Sequence, residues 1–280
     1  MSPAPSSSPQ PPRLRPTSAF ERMTLILLAA FLSACATKEL PKLSDDPTLQ
    51  IKRVAVVSVA AGTFNRMHVG NTIFGNESQD IEIEDWGIDK HIEKAMREEL
   101  ADKYKISAVD ASYLRRDFLA VNSLVGKKHE SPAFWEPNWL AITPAIGAHC
   151  AMNSLDAILV ISKIYVHVPG RTTVFGGVGL YTEAGWGNDP KIYLVAKSGL
   201  FNCKTFEVIQ SRVISNKQAR DWRVAYRALP IEKISDSLAE TKVGSWTPEQ
   251  KQTIRQQLIK LPENALKETL ASIFSTPATK

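Results

Sequence analysis

The feature that most constrains this chain is an apolar segment at residues 23–34 that ends directly at Cys35. It has 12 residues, whereas an apolar helix needs roughly 20 residues to span a bilayer. Arg22 precedes the segment and small residues close it, which is the pattern of a secretory signal peptide. We therefore predict that residues 1–34 are a signal peptide with a disordered, proline-rich extension, and that the folded part is exported.

The end of the segment, Leu32-Ser33-Ala34-Cys35, resembles the lipobox of bacterial lipoproteins. The resemblance implies that a diacylglycerol is attached to the thiol of Cys35 and that a peptidase cuts before this residue. Each buried CH₂ of an acyl chain contributes about 0.8 kcal/mol, so two or three chains hold a protein at a membrane. Ala36 is not the Asp that favours inner-membrane retention, so the resemblance also implies the outer membrane, with the domain facing the periplasm.

Residues 35–50 are polar and contain two prolines, which predicts a tether between the lipid and the domain. We assign residues 51–230 to an α/β domain. We assign residues 231–280 to a C-terminal helical segment that packs on it.

The pattern of apolar residues predicts the first elements of this domain. A β-branched run at 54–60 is typical of a buried central strand. Residues 61–84 contain glycine and asparagine and are predicted to form a loop. Helical spacing of apolar residues predicts a helix at 85–104. A second long strand is expected at 155–168, followed by a glycine-rich loop at 169–190.

The last part of the chain changes from strands to helices. Residues 191–201 and 206–214 are predicted to form a hairpin. Thr247, Pro248 and Gln250 have the pattern of a capping box that begins a helix, and another helix is expected after Pro262. The whole order predicts an α/β fold with a mixed β-sheet packed with helices, and with C-terminal helices.

Residues 52–57, residues 155–160 and the late hairpin resemble the α/β domain of curli-secretion lipoproteins and the N-terminal domain of the Tol-system translocation protein. The resemblance covers residues 51–215. It implies envelope assembly or partner binding, not catalysis. The curli-secretion relative forms a pore through added amphipathic strands. In this chain, residues 171–190 are the only segment that could supply such strands.

Besides Cys35, the chain contains Cys150 and Cys203. Disulfides persist in exported proteins. A helix is also predicted at residues 138–153, which include Cys150, and the predicted topology brings its end and the hairpin turn carrying Cys203 to one end of the sheet. We predict a disulfide that contributes about 4 kcal/mol; the alternative is two buried free thiols.

Two predicted loops are candidate contact surfaces. Asn71, Thr72 and Asn76 follow the first strand at the sheet edge that commonly hosts ligands; the alternative is that they serve turn geometry. Tyr181 and Trp186 lie in the glycine-rich loop. A loop of this length usually has a function, and we expect that it binds a partner. The alternative for this loop is a glycine-rich turn that packs on its own sheet.

Composition and motifs limit the function classes. The net charge is +5, of which +2 lies before Cys35, and no run of five like charges occurs, so we expect no nucleic-acid partner. No histidine pair has metal-ligand spacing, and no pattern marks a nucleophile with its base. We therefore assign no catalytic residue, metal or cofactor.

The resulting hypothesis is an outer-membrane-anchored periplasmic lipoprotein that acts as a non-enzymatic binding or assembly factor. Its expected partners are the membrane, through the lipid on Cys35, and envelope proteins. Two alternatives remain, namely a periplasmic hydrolase with an unrecognised site and an oligomeric secretion component.

Overall fold

The computed structural model describes six ranges of the chain, namely 51–123, 134–167, 174–184, 189–218, 227–240 and 245–274. All of them belong to one compact unit, residues 41–280. The predictions for Cys35 and Trp186 concern residues outside these ranges. None of the helices within the ranges is long and apolar enough to cross a membrane.

The described residues form eleven strands and seven α-helices. The strands are β1 (Arg53–Val59), β2 (Thr63–Val69), β3 (Glu77–Glu82), β4 (Ser107–Asp110), β5 (Phe134–Trp135), β6 (Ala157–Lys163), β7 (Tyr165–His167), β8 (Val174–Glu183), β9 (Lys191–Asn202), β10 (Val208–Val213) and β11 (Ile231–Lys233). The helices are α1 (Ile88–Tyr104), α2 (Arg115–Phe118), α3 (Ala120–Ser123), α4 (Thr143–Asn153), α5 (Asp236–Glu240), α6 (Pro248–Lys260) and α7 (Glu263–Phe274).

The sheet has the strand order β3-β2-β8-β9-β6-β1-β4, in which neighbours are hydrogen-bonded. The central strand β1 is parallel to β4 and β6, whereas β9 is antiparallel to both β6 and β8. Parallel and antiparallel pairs therefore occur in one sheet. This confirms the predicted α/β fold with a mixed sheet and C-terminal helices.

The long strand β9 divides the sheet into two halves. Residues 196–202 of β9 pair with β6, and these strands with β1, β4 and β10 form the first half. Residues 191–195 pair with β8, and these strands with β2, β3 and β11 form the second half.

Helices cover both faces of the first half. On one face, α1, α6 and α7 bury side chains such as Ile92, Leu258 and Leu270 against the alternate residues Val54 and Val56 of β1. On the other face, α2, α3 and α4 pack on the intervening residues of β1. This alternation follows from the period of two along a strand, and it explains why the β-branched run is apolar throughout.

Two predicted loops are wrong. Residues 61–84 contain β2 and β3, which form an antiparallel hairpin, with the Phe64 side chain fully buried. Residues 169–190 contain β8, whose glycines leave room for aromatic side chains. A Cβ at Gly176 would collide with the Tyr165 ring, and one at Gly179 would collide with the Tyr193 hydroxyl. Glycine here marks close packing within a strand.

Candidate functional site

A buried carboxylate connects the first turn of α1 to the end of β1. Asp89 Oδ1 accepts a hydrogen bond from Ser58 Oγ at 2.5 Å and from the Ala60 N–H at 3.0 Å. The Ala61 N–H donates to both oxygens of this carboxylate at 3.2 Å. Asp89 thus fixes the backbone as the chain leaves β1 toward β2.

Glu93 lies one turn further along α1 and is bound on two sides. Its Oε1 accepts the Ser58 N–H at 2.8 Å. Arg115 Nη2 donates to Oε1 and Oε2 at 2.8 and 2.7 Å, and Arg115 Nε donates to the Ser58 carbonyl at 2.9 Å. The guanidinium therefore links α1, β1 and the segment after β4.

Burial raises the pKa of both Asp89 and Glu93, while the hydrogen bonds from Ser58 and the Arg115 guanidinium oppose this rise. The Glu93 side chain is 1% exposed, and Ser58 is fully buried. The Glu93 oxygens and the Ser58 hydroxyl are therefore closed to a substrate, whereas Asp89 lines the cleft described below. The arrangement holds the sheet edge in place through the hydrogen bonds of Asp89, Glu93 and Arg115.

The sequence shows Asp89 and Glu93 in an acidic group at the start of this helix, where favourable charge at the helix N-terminus is the expected role; the structure instead buries both. A signal was present, because Asp89 and Glu93 are four residues apart and lie beside Ile88, Ile92 and Met96, all of which are buried. Two carboxylates at the border of an apolar helix face indicate buried partners on the facing strand.

An open cleft of about 500 Å³ lies above this cluster, at the C-terminal edge of β1 and β4. Its lining includes Gly87, Lys90, Tyr113, Arg115 and Arg116. Ligands commonly bind at this edge of an α/β sheet, and the volume suits a small molecule. The lining residues include no histidine or cysteine, so the cleft has groups for binding rather than a nucleophile of those types.

A second charged pair lies near the cleft, at the end of β4. The Ser112 N–H donates to Asp110 Oδ1 at 2.9 Å, and the Arg97 guanidinium lies 2.9 Å from Oδ2. These contacts lower the pKa of Asp110 to about 2. The pair fixes the turn that leads into the cleft wall.

The predicted contact residues Asn71, Thr72 and Asn76 lie at the turn between β2 and β3, which we call the hairpin tip (residues 70–76). All three are exposed. The Asn76 side chain also serves the turn, because its Oδ1 accepts the Gly70 N–H at 3.0 Å. The tip carries Phe74, which is 93% exposed and was not predicted as a contact residue.

The structure differs from the prediction at Tyr181. This residue lies in β8 and is 4% exposed, with its ring centre 5.0 Å from that of Phe175. Its hydroxyl donates to Glu183 Oε2 at 2.9 Å. Tyr181 is therefore a core residue, because the segment that contains it is a paired strand and not a loop.

Cys150 of α4 and Cys203 of the turn between β9 and β10 form a disulfide, with their Cα atoms 5.3 Å apart. The bond lies at the sheet end where β1 begins, since the Cys203 N–H donates to the Asp156 carbonyl at 3.0 Å. It ties α4 to the sheet. Within the six described ranges, no group of three His, Cys, Asp or Glu side chains is placed to hold a metal ion.

No protein-family model and no curated protein sequence matches this chain. Among solved structures, a Xanthomonas campestris protein of the family model DUF330 is similar with a TM-score of 0.30 and 11% identity, over 81% of this chain and 90% of that one. A lipoprotein from Neisseria meningitidis is similar with a TM-score of 0.26 and 14% identity, over 60% and 87% of the two chains. Both TM-scores lie below 0.5, so neither similarity supports an inference about function.

Proposed function

We propose that this protein is a lipid-anchored lipoprotein of the bacterial outer membrane whose domain binds an envelope protein in the periplasm. The anchor is argued from the sequence Leu32-Ser33-Ala34-Cys35 and from Ala36. The bond between Cys150 and Cys203 supports export, because structural disulfides are rare in the bacterial cytoplasm.

The observation that carries the binding role is the exposed Phe74 on the hairpin tip. Scattered exposed apolar residues are normal on protein surfaces, but Phe74 stands at the end of a hairpin, where a partner can surround it. Asn71, Thr72 and Asn76 beside it supply hydrogen-bonding groups. An aromatic anchor with a polar rim is the usual composition of a protein–protein contact.

The position of the hairpin tip also favours a periplasmic partner. The strand pairings place Asn202 of β9 in the same row across the sheet as Val54, at the start of β1. They place Lys191 of β9 in the same row as Met67 of β2. The two rows are eleven residues apart along β9, which corresponds to a distance of about 36 Å. β2 runs in the same direction as β1, so the tip and Ile51, where the predicted tether enters, lie at opposite ends of the sheet.

Binding is favoured over catalysis because the two buried carboxylates of the site are used by hydrogen bonds within the fold. Asp89 and Glu93 accept hydrogen bonds from Ser58, Arg115 and main-chain N–H groups. A hydrolase needs a nucleophile and a base that meet in an accessible pocket. These residues are buried and serve the fold.

Membrane fractionation of the wild type and of Cys35→Ala, with mass spectrometry of the mature N-terminus, tests the anchor. We expect an acylated Cys35 in the outer-membrane fraction and release of the variant. A soluble wild-type protein that keeps residues 1–34 would contradict the proposal.

Photo-crosslinking in cells tests the binding surface. A crosslinking residue at position 74 should give a discrete protein adduct, whereas one at Leu140, which is 83% exposed and also apolar, should not. Equal labelling from both positions, or none from position 74, would argue against the hairpin tip as the contact.

A further inference from the structure

We infer that the sheet end where β1 begins is a second contact surface, which docks on anionic phospholipid headgroups. This surface, the basic end, consists of Lys52, Arg53 and Lys204 together with the apolar side chain of Phe206. The inference rests on the proposed lipid anchor, and it adds a direct contact between the domain and the membrane.

Hydrogen bonds hold these residues together. Asp156 Oδ2 accepts the N–H groups of Lys52 and Arg53 at 2.8 and 2.9 Å. The Asp156 carbonyl accepts the Cys203 N–H at 3.0 Å, and Lys204 follows directly in the chain. The start of β1 and the turn between β9 and β10 are therefore neighbours, although about 150 residues separate them along the sequence.

The basic end presents three positive charges to solvent. Lys52, Arg53 and Lys204 are exposed, and their side chains form no ion pair with another described residue. Two carboxylates lie beside them, namely Asp156, which accepts main-chain N–H groups, and Glu207 of the same turn, so the basic end has a net charge of +1. Each basic side chain at an anionic membrane strengthens binding about fivefold, so three together contribute about a hundredfold.

An apolar side chain lies beside the charges. Phe206 is 38% exposed, and its φ of 61° is a left-handed conformation that bulky residues rarely adopt. Phe206 lies next to α4, since a Cβ at Gly147 would be 3.7 Å from its ring. The Cys150–Cys203 bond fixes the helix and the turn to each other. Apolar groups beside basic ones are the composition of interfacial membrane contacts.

The length of the predicted tether places this surface within reach of the membrane. Residues 36–50 connect Cys35 to Ile51, and 15 flexible residues span roughly 21 Å on average and about 50 Å when extended. A second copy of the chain is a poor occupant, because two basic ends would repel each other. An anionic lipid surface has the complementary charge.

Vesicle co-sedimentation tests the inference with the mature chain, residues 35–280, carrying Cys35→Ser so that no lipid is attached. The probes are phosphatidylethanolamine–phosphatidylglycerol vesicles and pure phosphatidylcholine vesicles. We expect binding to the anionic vesicles alone, weakened by added salt. The variant Lys52→Glu/Arg53→Glu/Lys204→Glu should bind more weakly by more than about a hundredfold.

Matched variants separate this effect from net charge and from folding. Lys251→Glu/Lys260→Glu/Lys267→Glu changes the net charge equally at exposed positions of α6 and α7 and should retain binding. Phe206→Asn keeps a residue that tolerates positive φ and should weaken binding about fivefold while the chain remains folded. Equal loss in both triple variants, or no binding by the parent chain, would overturn the inference.

Two further outcomes are informative. A concentration-dependent dimer that is lost in Phe206→Asn, without vesicle binding, would assign the surface to a second copy and overturn the inference. Acylated Cys35 without vesicle binding would reject the docking surface while the proposed function stands. Vesicle binding by a chain whose Cys35 is never acylated would reject the lipoprotein and retain the membrane contact.

Discussion

Loss of the Cys150–Cys203 bond should lower the free energy of unfolding by up to about 4 kcal/mol. The two cysteines are 53 residues apart. In the chain-entropy model, a loop of this length removes roughly 14 cal/mol/K from the unfolded chain, which is about 4 kcal/mol at 25 °C. Cys150 is 5% exposed, and a small apolar residue can take its place. Most of the effect therefore comes from the unfolded state.

Urea unfolding followed by tryptophan fluorescence measures this difference. Trp86 and Trp246 both pack on Phe64 in the core, so their emission reports on the native packing. We compare the oxidised protein, the reduced protein and Cys150→Ala/Cys203→Ala. The reduced protein and the variant should lose similar stability, and their m-values should rise because their unfolded chains expose more surface.

Dithiothreitol should leave the double variant unchanged, which controls for effects of the reductant itself. A difference below about 1 kcal/mol between the oxidised protein and the variant would refute the reasoning. Free thiols on Cys150 and Cys203 in protein isolated from the periplasm would refute it as well.

Three further predictions concern the charged residues and the glycines. Arg115→Met should lower the free energy of unfolding, measured in urea, by about 3 kcal/mol, because Glu93 keeps a buried charge without its partner. Arg115→Met/Glu93→Gln should recover part of this stability. A double variant that recovers none would contradict the pairing. The pKa of Asp110 is about 2 in the folded state and about 3.9 when unfolded. The stability that Asp110 contributes is therefore present above pH 4 and is lost as the pH falls toward 2. Asp110→Asn should flatten that part of the stability profile, by less than about 1 kcal/mol because the side chain is 59% exposed. Gly179→Ala should lower the melting temperature through its collision with the core, whereas Gly62→Ala, where a Cβ meets nothing within 4 Å, should not.

The parts of the fold that the sequence predicted are those with a local signal. The β-branched run of β1, the apolar face of α1 and the capping box at Thr247 each depend on neighbouring residues. The box forms as expected, since the Gln250 N–H donates to Thr247 Oγ1 at 3.3 Å and the Thr247 N–H donates to Gln250 Oε1 at 2.9 Å. The β9–β10 hairpin also follows from a short turn, whereas its register shift between Val208 and Gln210 was not predicted.

The parts that the sequence did not predict depend on distant residues. β3 is polar, with the sequence Glu-Ser-Gln-Asp-Ile-Glu, and it is a strand because β2 supplies its hydrogen-bonding partners. The glycines of β8 are typical of a loop in the sequence, but in the structure they make room for the side chains of Tyr165 and Tyr193. The candidate site has the same origin, since Ser58, Glu93 and Arg115 meet only in the folded sheet.

The shared strand β9 has a consequence for how this domain unfolds. Val195 belongs to one half of the sheet and Ala196 to the other, with no break in the strand between them. One continuous strand serves both halves, and the Ile164 N–H donates to the Val195 carbonyl at their border at 3.3 Å, so we expect the halves to unfold together rather than as separate foldons. The amide protons at the middle of β9 should therefore exchange with solvent only through global unfolding. Their exchange should be slower than that of the hairpin tip by a factor equal to the equilibrium constant for folding.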